Sequence, residues 1–127
     1  MNKSVQAFLA KADRALRAAE TLLGTGDADF AIARAYYALF YIAEALLLSK
    51  DLRFRKRNSV HAAFGEHFAK SGLLDPKFHR WLLDAFDQRI LSDYGVEAEL
   101  TSEDARRVLA HAREFLAEAR RLLDMCA

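Results

Sequence analysis

Apolar residues recur at steps of three and four along most of this chain, which is the spacing of one face of an α-helix. The first such segment runs from Val5 to Leu23 with charged side chains between the apolar ones, and Gly24-Thr25-Gly26-Asp27 ends it. The segment from Phe30 to Leu48 is apolar nearly all round, so we expect a central helix that packs on several sides. Asp27 or Asp29 can cap that helix.

The rest of the chain predicts three more helices. A short third helix, capped by Asn58 or Ser59, places three bulky side chains on one side: His61, Phe64 and Phe68. Pro76, after the capping candidate Asp75, opens a fourth helix that reaches about Tyr94, and Gly95 is a candidate stop. The segment Thr101-Ser102-Glu103-Asp104 is a capping sequence for a fifth helix. No segment alternates with a period of two, so we predict an all-α fold, an up-and-down bundle of four to five helices that forms one domain over residues 1–127.

Composition and charge narrow the classes of protein that this chain can belong to. Its hydrophobic fraction of 53% and charged fraction of 29% are typical of a globular protein and exclude a disordered one. The net charge of +1 provides no global attraction to nucleic acid or membrane, so any such affinity must come from a local patch. Arg34 and Glu44 interrupt the long apolar segment and argue against a membrane span. The lone cysteine, Cys126, and an N-terminus without the features of a signal peptide lead us to expect a cytoplasmic protein.

Few residues form recognisable chemical motifs. The chain has no glycine-rich phosphate loop, no paired cysteines and no pair of histidines at metal-binding spacing, so we predict neither a metal nor a cofactor. Arg89 is unusual because its helical position falls inside the apolar arc of the fourth helix, where a guanidinium must be paired or must face a cleft. Asp93, one turn later, is the obvious partner. A structural ion pair and a functional arginine both fit this pattern.

A second set of candidates lies on the central helix and on the segment after it. Arg34 shares a helical face with Tyr37, which fits either an arginine extended to solvent over a packed tyrosine or a contact to phosphate and base. The segment after the central helix is basic, and it is either a solvated turn or a short nucleic-acid-binding surface. Its candidate binding residues are Arg53, Arg55, Lys56 and Arg57.

Two of these segments resemble the HEPN family (higher eukaryotes and prokaryotes nucleotide-binding). Arg34-Ala35-Tyr36-Tyr37-Ala38-Leu39-Phe40, followed by Ala43-Glu44-Ala45-Leu46-Leu47, resembles the second helix of these domains. Arg89-Ile90-Leu91-Ser92-Asp93-Tyr94 resembles the end of their fourth helix. The resemblance implies a helical domain that often dimerises around a cleft lined by arginines. Many members are metal-independent ribonucleases, and small ones are often encoded beside a minimal nucleotidyltransferase that acts as antitoxin.

The same resemblance implies a catalytic arginine followed by a histidine after four to six residues, in which the arginine holds the scissile phosphate. Arg89 matches this arginine, but Tyr94 stands where the histidine is expected. An ordinary tyrosine has a pKa of about 10 and is a poor general base at neutral pH. We therefore expect a component of a two-gene system that binds RNA or nucleotide, with a weak ribonuclease or a non-catalytic adaptor bundle as alternatives. Arg89, Asp93 and Tyr94 are the candidate catalytic residues.

Overall fold

The computed structural model describes residues 2–94 and 100–125. They form α1 (Lys3–Gly24), α2 (Ala28–Leu48), α3 (Arg57–Phe64), α4 (Lys77–Tyr94) and α5 (Ser102–Met125). A π-helical turn, Gly65–Lys70, continues α3 without a break. No strand occurs in these two ranges, so the predicted all-α bundle is confirmed. Gly95 and Cys126, for which the sequence suggested a helix stop and a reducing environment, lie outside the described residues.

Helices α1 and α2 form a hairpin and contact each other more extensively than any other two described elements do. The connection is only three residues long, which requires neighbouring antiparallel helices. Gly26 adopts φ +86° in this turn, a conformation that favours glycine, and the Asp27 amide donates to the Leu22 carbonyl at 2.9 Å. The apolar face of α1 is thereby held against α2, with Val5, Leu9, Ala12, Leu16 and Ala19 buried.

Helix α2 is the core of the bundle and contacts α1, α3, α4 and α5. It is the one helix in the described part of the chain that is long and apolar enough to cross a bilayer, yet 72% of that apolar window is buried inside the bundle. Its many alanines, including Ala31, Ala35 and Ala38 with no exposed surface, allow the neighbouring helices to approach closely. Packing on several sides therefore accounts for the apolar character of this helix, as predicted.

The predicted capping residues are partly correct. The Lys77 amide donates to Asp75 Oδ1 at 2.9 Å at the start of α4, as expected. At the start of α5 the Thr101 amide donates to Asp104 Oδ2 at 2.9 Å and the Asp104 amide to Thr101 Oγ1 at 3.2 Å, a reciprocal cap.

Of the other predicted caps, the one for α3 is wrong and the one for α2 is correct in position only. Helix α3 begins at Arg57, before Asn58 and Ser59, and its N-cap residue Lys56 makes no side-chain cap. Asp27 occupies the N-cap position of α2, but its carboxylate accepts from the Thr25 hydroxyl at 2.7 Å instead of from the helix. Short-range competition of this kind between a turn and a helix end is not visible in a pattern of apolar residues.

Candidate functional site

Arg89 lies in the seam between α4 and α2. Its guanidinium carbon is 5.1 Å from the centre of the Tyr37 ring and 5.9 Å from that of Tyr36. The side chain is only 17% exposed, in agreement with its predicted position within the apolar arc of α4. The attraction between the cation and the aromatic rings partly offsets the cost of removing the guanidinium from water.

The predicted partner of Arg89 is present but does not occupy the whole guanidinium. Asp93 Oδ2 forms an ion pair with the Arg89 terminal nitrogen Nη2 at 3.2 Å, and the Asp93 side chain is 41% exposed. The Nε atom of Arg89 is buried and has no hydrogen-bond partner among the described residues. A buried donor without a partner costs free energy, so it indicates either a strained group or a position that a ligand completes.

A second arginine stacks on the same tyrosine. The Arg34 guanidinium lies 4.6 Å from the centre of the Tyr37 ring, on the exposed side of α2. Tyr37 is half-buried, and its ring thus contacts two guanidinium groups from two helices. The structure therefore brings together three of the predicted residues, Arg34 and Tyr37 on α2 and Arg89 on α4, although Arg89 is distant from the other two in the sequence.

The basic segment divides between two places. Arg57, at the start of α3, is half-buried and lies 5.3 Å from the centre of the Phe86 ring, beside the Arg89 seam. Arg53 and Arg55 are exposed and line a separate pocket near the end of α2. Lys56, which lies between Arg55 and Arg57 in the sequence, is also exposed. These four basic candidates therefore lie on two surfaces, because the start of α3 turns Arg57 inward.

A buried pair at the centre of the seam was not predicted. The hydroxyl of Tyr36, which has no exposed surface, shares a hydrogen bond of 2.8 Å with Nε2 of His61, which is 5% exposed. His79 Nε2 donates in turn to the His61 carbonyl at 3.0 Å. A side chain at Gly65 would come within 2.6 Å of the His79 ring, so glycine is needed at the junction between α3 and the π-helical turn.

Burial shifts the pKa values of both members of this pair. Burial, followed by Arg57 and His79, lowers the pKa of His61 to about 4. Burial raises the pKa of Tyr36 well above its usual value, although Arg57 and Arg89 oppose that shift. Both side chains are therefore neutral at pH 7, and the charge of the seam comes from its arginines and Asp93.

Tyr94 lies in the last turn of α4 and is 83% exposed. Its ring therefore does not pack against the end of the bundle. Asp93 beside it is also exposed. The described residues contain no group of three or more side chains that could hold a metal ion.

The buried histidine did leave a signal in the sequence. His61 shares one side of its helix with Phe64 and Phe68, so burial of the two phenylalanines implies burial of the imidazole. A buried imidazole requires a hydrogen-bond partner. Tyr36 was hidden because it stands next to Tyr37, and no sequence pattern tells which of two adjacent tyrosines points inward on a helix that is apolar nearly all round.

Comparison with known proteins decides the family. The family model of the HEPN domain matches residues 5–122. The chain belongs to the HEPN family. It is 31% identical to a "Putative toxin" of Methanocaldococcus jannaschii, over 95% of this chain and 82% of that protein. It is 34% identical to a "UPF0332 protein" of Gloeobacter violaceus, over 91% of this chain and 93% of that protein. A "UPF0332 protein" of Thermotoga maritima is 33% identical, over 96% of this chain and 92% of its own length.

The family match covers both segments on which the resemblance was based. The residues from Arg34 to Leu47 form most of α2, and those from Arg89 to Tyr94 form the end of α4. The two helices pack against each other in this HEPN domain. The motif residues of the family thus meet at one seam, with Arg89 directly over the tyrosines of α2.

Proposed function

We propose that this protein is the HEPN component of a toxin-like two-gene system and binds RNA or nucleotide through the arginine-lined seam. The observation that carries the proposal is Arg89, whose buried Nε has no partner among the described residues while its guanidinium covers Tyr37. A phosphate oxygen is the acceptor that such a donor lacks, because arginine binds phosphate through two parallel N–H groups.

The charges around the seam favour an anionic ligand. Arg34, Arg57 and Arg89 surround the tyrosines. Of these three arginines, only Arg89 forms an ion pair with a described residue, Asp93. Two arginines therefore remain without a carboxylate. Tyr37 adds an aromatic ring, on which nucleic-acid bases commonly stack. This combination of cations and an aromatic ring supports RNA or nucleotide better than it supports a purely structural adaptor.

The geometry supports binding more than cleavage. The imidazole nearest to the arginines, His61, is buried and bonded to Tyr36, and the pKa of Tyr36 is raised by burial. Neither group is a base that reaches a bound 2′-hydroxyl. Tyr94 replaces the histidine that the family uses. We therefore place weak metal-independent cleavage second, as an activity that would depend on Arg89, Asp93 and Tyr94.

A second copy of the chain is the proposed partner of the exposed face of α4. Four large apolar side chains on this helix are exposed: Leu83, Ile90, Leu91 and Tyr94. At 100° per residue they lie within about 100° of one another, so they form one stripe. Phe30, which is 57% exposed, shares a face of α2 with Arg34. A homodimer through α2 and α4 would cover this apolar surface and bring two sets of arginines together.

The partner in the two-gene system is proposed to be a minimal nucleotidyltransferase, with both proteins in the cytoplasm. This part rests on the resemblance to small HEPN proteins and on relatives that are named as toxins. The encoded neighbour of this gene is the observation that tests it most directly. A nucleotidyltransferase that copurifies with this chain would support it, and a neighbour of another class would count against it.

Binding of a fluorescent single-stranded RNA, followed by anisotropy, tests the proposed seam. Arg89→Ala should weaken binding at least tenfold, the usual scale for loss of a charge-assisted contact that is partly buried. Arg80→Ala removes an exposed arginine from the same helix and is the matched control. Equal affinities for the two variants, or no RNA binding by the unaltered protein, would contradict the proposal.

A further inference from the structure

A second pocket, separate from the seam, lies between α1, the end of α2 and the basic segment. It has a volume of about 420 Å³, which is within the range of small-molecule sites. Its apolar walls include Phe8, Leu48 and Phe54, and its polar lining consists of Glu44, Arg53 and Arg55. The seam residues Arg34, Tyr37 and Arg89 do not line it.

Glu44 is a half-buried carboxylate in the wall of this pocket. It forms no hydrogen bond or ion pair within the described ranges, and Lys11 is the nearby charge that favours its ionised form. Burial nevertheless raises the pKa of Glu44 above its usual value. A carboxylate in this position is stabilised by a ligand that offers N–H donors, and two adjacent donors would match its two oxygens.

The other lining residues restrict the class of ligand further. Arg53 and Arg55 are exposed and belong to the same pocket, so the ligand should carry an anionic group as well as the donors. Phe8 is half-buried and Phe54 is 37% exposed, and they come from two different segments of the chain. Two aromatic rings favour a flat ring system over a flexible aliphatic molecule.

We propose that this pocket binds a guanine nucleotide. The N1–H and N2 amine of the base would donate to the two oxygens of Glu44, the ring would contact Phe8 and Phe54, and the phosphate would bind Arg53 and Arg55. The other bases fit less well because adenine and cytosine place an acceptor nitrogen beside their amine, and uracil has a single N–H between two carbonyls. This site goes beyond the proposed function, since it does not use the seam.

Calorimetric titration with guanosine 5′-monophosphate tests the base specificity. Adenosine monophosphate and inosine monophosphate are the comparisons, because the second lacks only the N2 amine. Because adenine cannot make the paired contact, the affinity for adenosine monophosphate is expected to be lower by about tenfold or more. The affinity for inosine monophosphate should lie between the two. Equal affinities for the guanine and adenine nucleotides would overturn the proposal.

Variants then assign the contacts. Glu44→Gln keeps the shape of the side chain, and it should lower the affinity for the guanine nucleotide to that for the adenine nucleotide. Arg53→Ala combined with Arg55→Ala changes only exposed side chains, and it should reduce the nucleotide to the affinity of guanosine. Arg106→Ala, on the exposed face of α5, is the control. Unchanged affinity in both the Glu44 and the double arginine variants would overturn the proposed contacts.

The ligand could be a free nucleotide or a nucleotide within single-stranded RNA, and a short oligonucleotide with one guanine separates these sources. If only the oligonucleotide binds, and its inosine form binds less tightly, RNA is the source. If neither probe binds at millimolar concentration, the proposal is wrong. Glu44→Gln should lower the affinity for guanosine monophosphate and leave that for an RNA without guanine unchanged, whereas Arg89→Ala should lower the affinity for the RNA without guanine. Failure of the seam and failure of this pocket are therefore distinguishable.

Discussion

The hydroxyl of Tyr36 and Nε2 of His61 share a hydrogen bond of 2.8 Å that links α2 to α3 below Arg89. Tyr36 lies between this histidine and the guanidinium, with its ring centre 5.9 Å from the Arg89 carbon. The pair thus fixes the orientation of the ring on which Arg89 rests. Both side chains are buried, so if one of them is removed, water cannot take its place as the hydrogen-bond partner of the other.

We predict that Tyr36→Phe lowers the free energy of unfolding by about 1–3 kcal/mol, the cost of leaving a buried imidazole nitrogen without its partner. Tyr41→Phe is the matched control, because Tyr41 is a half-buried tyrosine on the same helix. Urea denaturation followed by circular dichroism measures both. A loss no larger than that of Tyr41→Phe would show that the hydrogen bond makes no net contribution.

A second prediction concerns acid. The pKa of His61 is about 4 in the folded protein and about 6.5 in an unfolded chain. The unfolded state therefore takes up the proton first, so the stability is fully present above pH 6.5 and falls as the pH decreases towards 4. We expect a loss of about 2 kcal/mol between pH 7 and pH 5 from this residue alone.

Urea denaturation at a series of pH values checks the contribution of His61. His61→Gln should be less stable at pH 7 and should lose less stability on acidification than the unaltered protein does. His67→Gln, on the neighbouring π-helical turn and half-buried, should keep the full acid dependence. Parallel curves for the unaltered protein and the His61 variant would contradict this assignment.

The sequence was sufficient for the fold because the helices are amphipathic and the breaks between them are marked. Helix α1 ends at Gly24, and Thr25-Gly26-Asp27 and Asp75-Pro76 lie between helices in the structure, as their residue types predict. The apolar character of α2 indicated its central position before any contact was known. The start of α3 could not be predicted, because Lys56 makes no side-chain cap that would mark it.

The candidate site was only half predictable for a different reason. Arg89 and Arg34 were identified because a charge at an apolar helical position is anomalous whatever surrounds it. The role of Arg57 depends on the direction in which α3 leaves the basic segment, and that direction is set by packing between helices. The Glu44 pocket could not be predicted for the same reason, since Phe8 and Phe54 come close to Glu44 only in the folded chain.

A third prediction concerns the proposed homodimer. Leu91 is 59% exposed on α4, so Leu91→Glu should leave the bundle folded but place a charge in the proposed interface. Light scattering coupled to size exclusion should then show a monomer, whereas the unaltered protein should be a dimer. Leu73→Glu, at an exposed position before α4, should stay dimeric. A monomeric unaltered protein at micromolar concentration would contradict the prediction.

A fourth prediction is that the purified protein cleaves RNA weakly or not at all. General acid–base help is typically worth about 10²–10⁴ in rate, and Tyr94 stands where the resemblance to catalytic HEPN domains implies a histidine. Tyr94→His should therefore raise cleavage, because the exposed end of α4 admits the imidazole without repacking. Cleavage products of a labelled RNA, resolved on a denaturing gel, measure this. Strong metal-independent cleavage by the unaltered protein that disappears in Arg89→Ala would show that Tyr94 suffices.

The last prediction is that Tyr94 accepts a nucleoside monophosphate from the proposed nucleotidyltransferase partner. The resemblance to small HEPN proteins implies an acceptor tyrosine beside the arginine–histidine motif, and Tyr94 corresponds to that acceptor by position alone. The structure adds that its side chain is 83% exposed, as an acceptor must be. Arg89 lies five residues earlier on α4, about a turn and a half along the helix, where it could bind an incoming phosphate.

Intact-mass measurement after coexpression with the neighbouring nucleotidyltransferase tests this transfer. An added nucleotide mass that is absent in Tyr94→Phe is the expected result, because only the hydroxyl is lost. Tyr37→Phe is the control, since Tyr37 is half-buried in the seam and its ring is covered by Arg34 and Arg89. An adduct that survives in Tyr94→Phe, or the absence of any added nucleotide mass, would contradict the prediction.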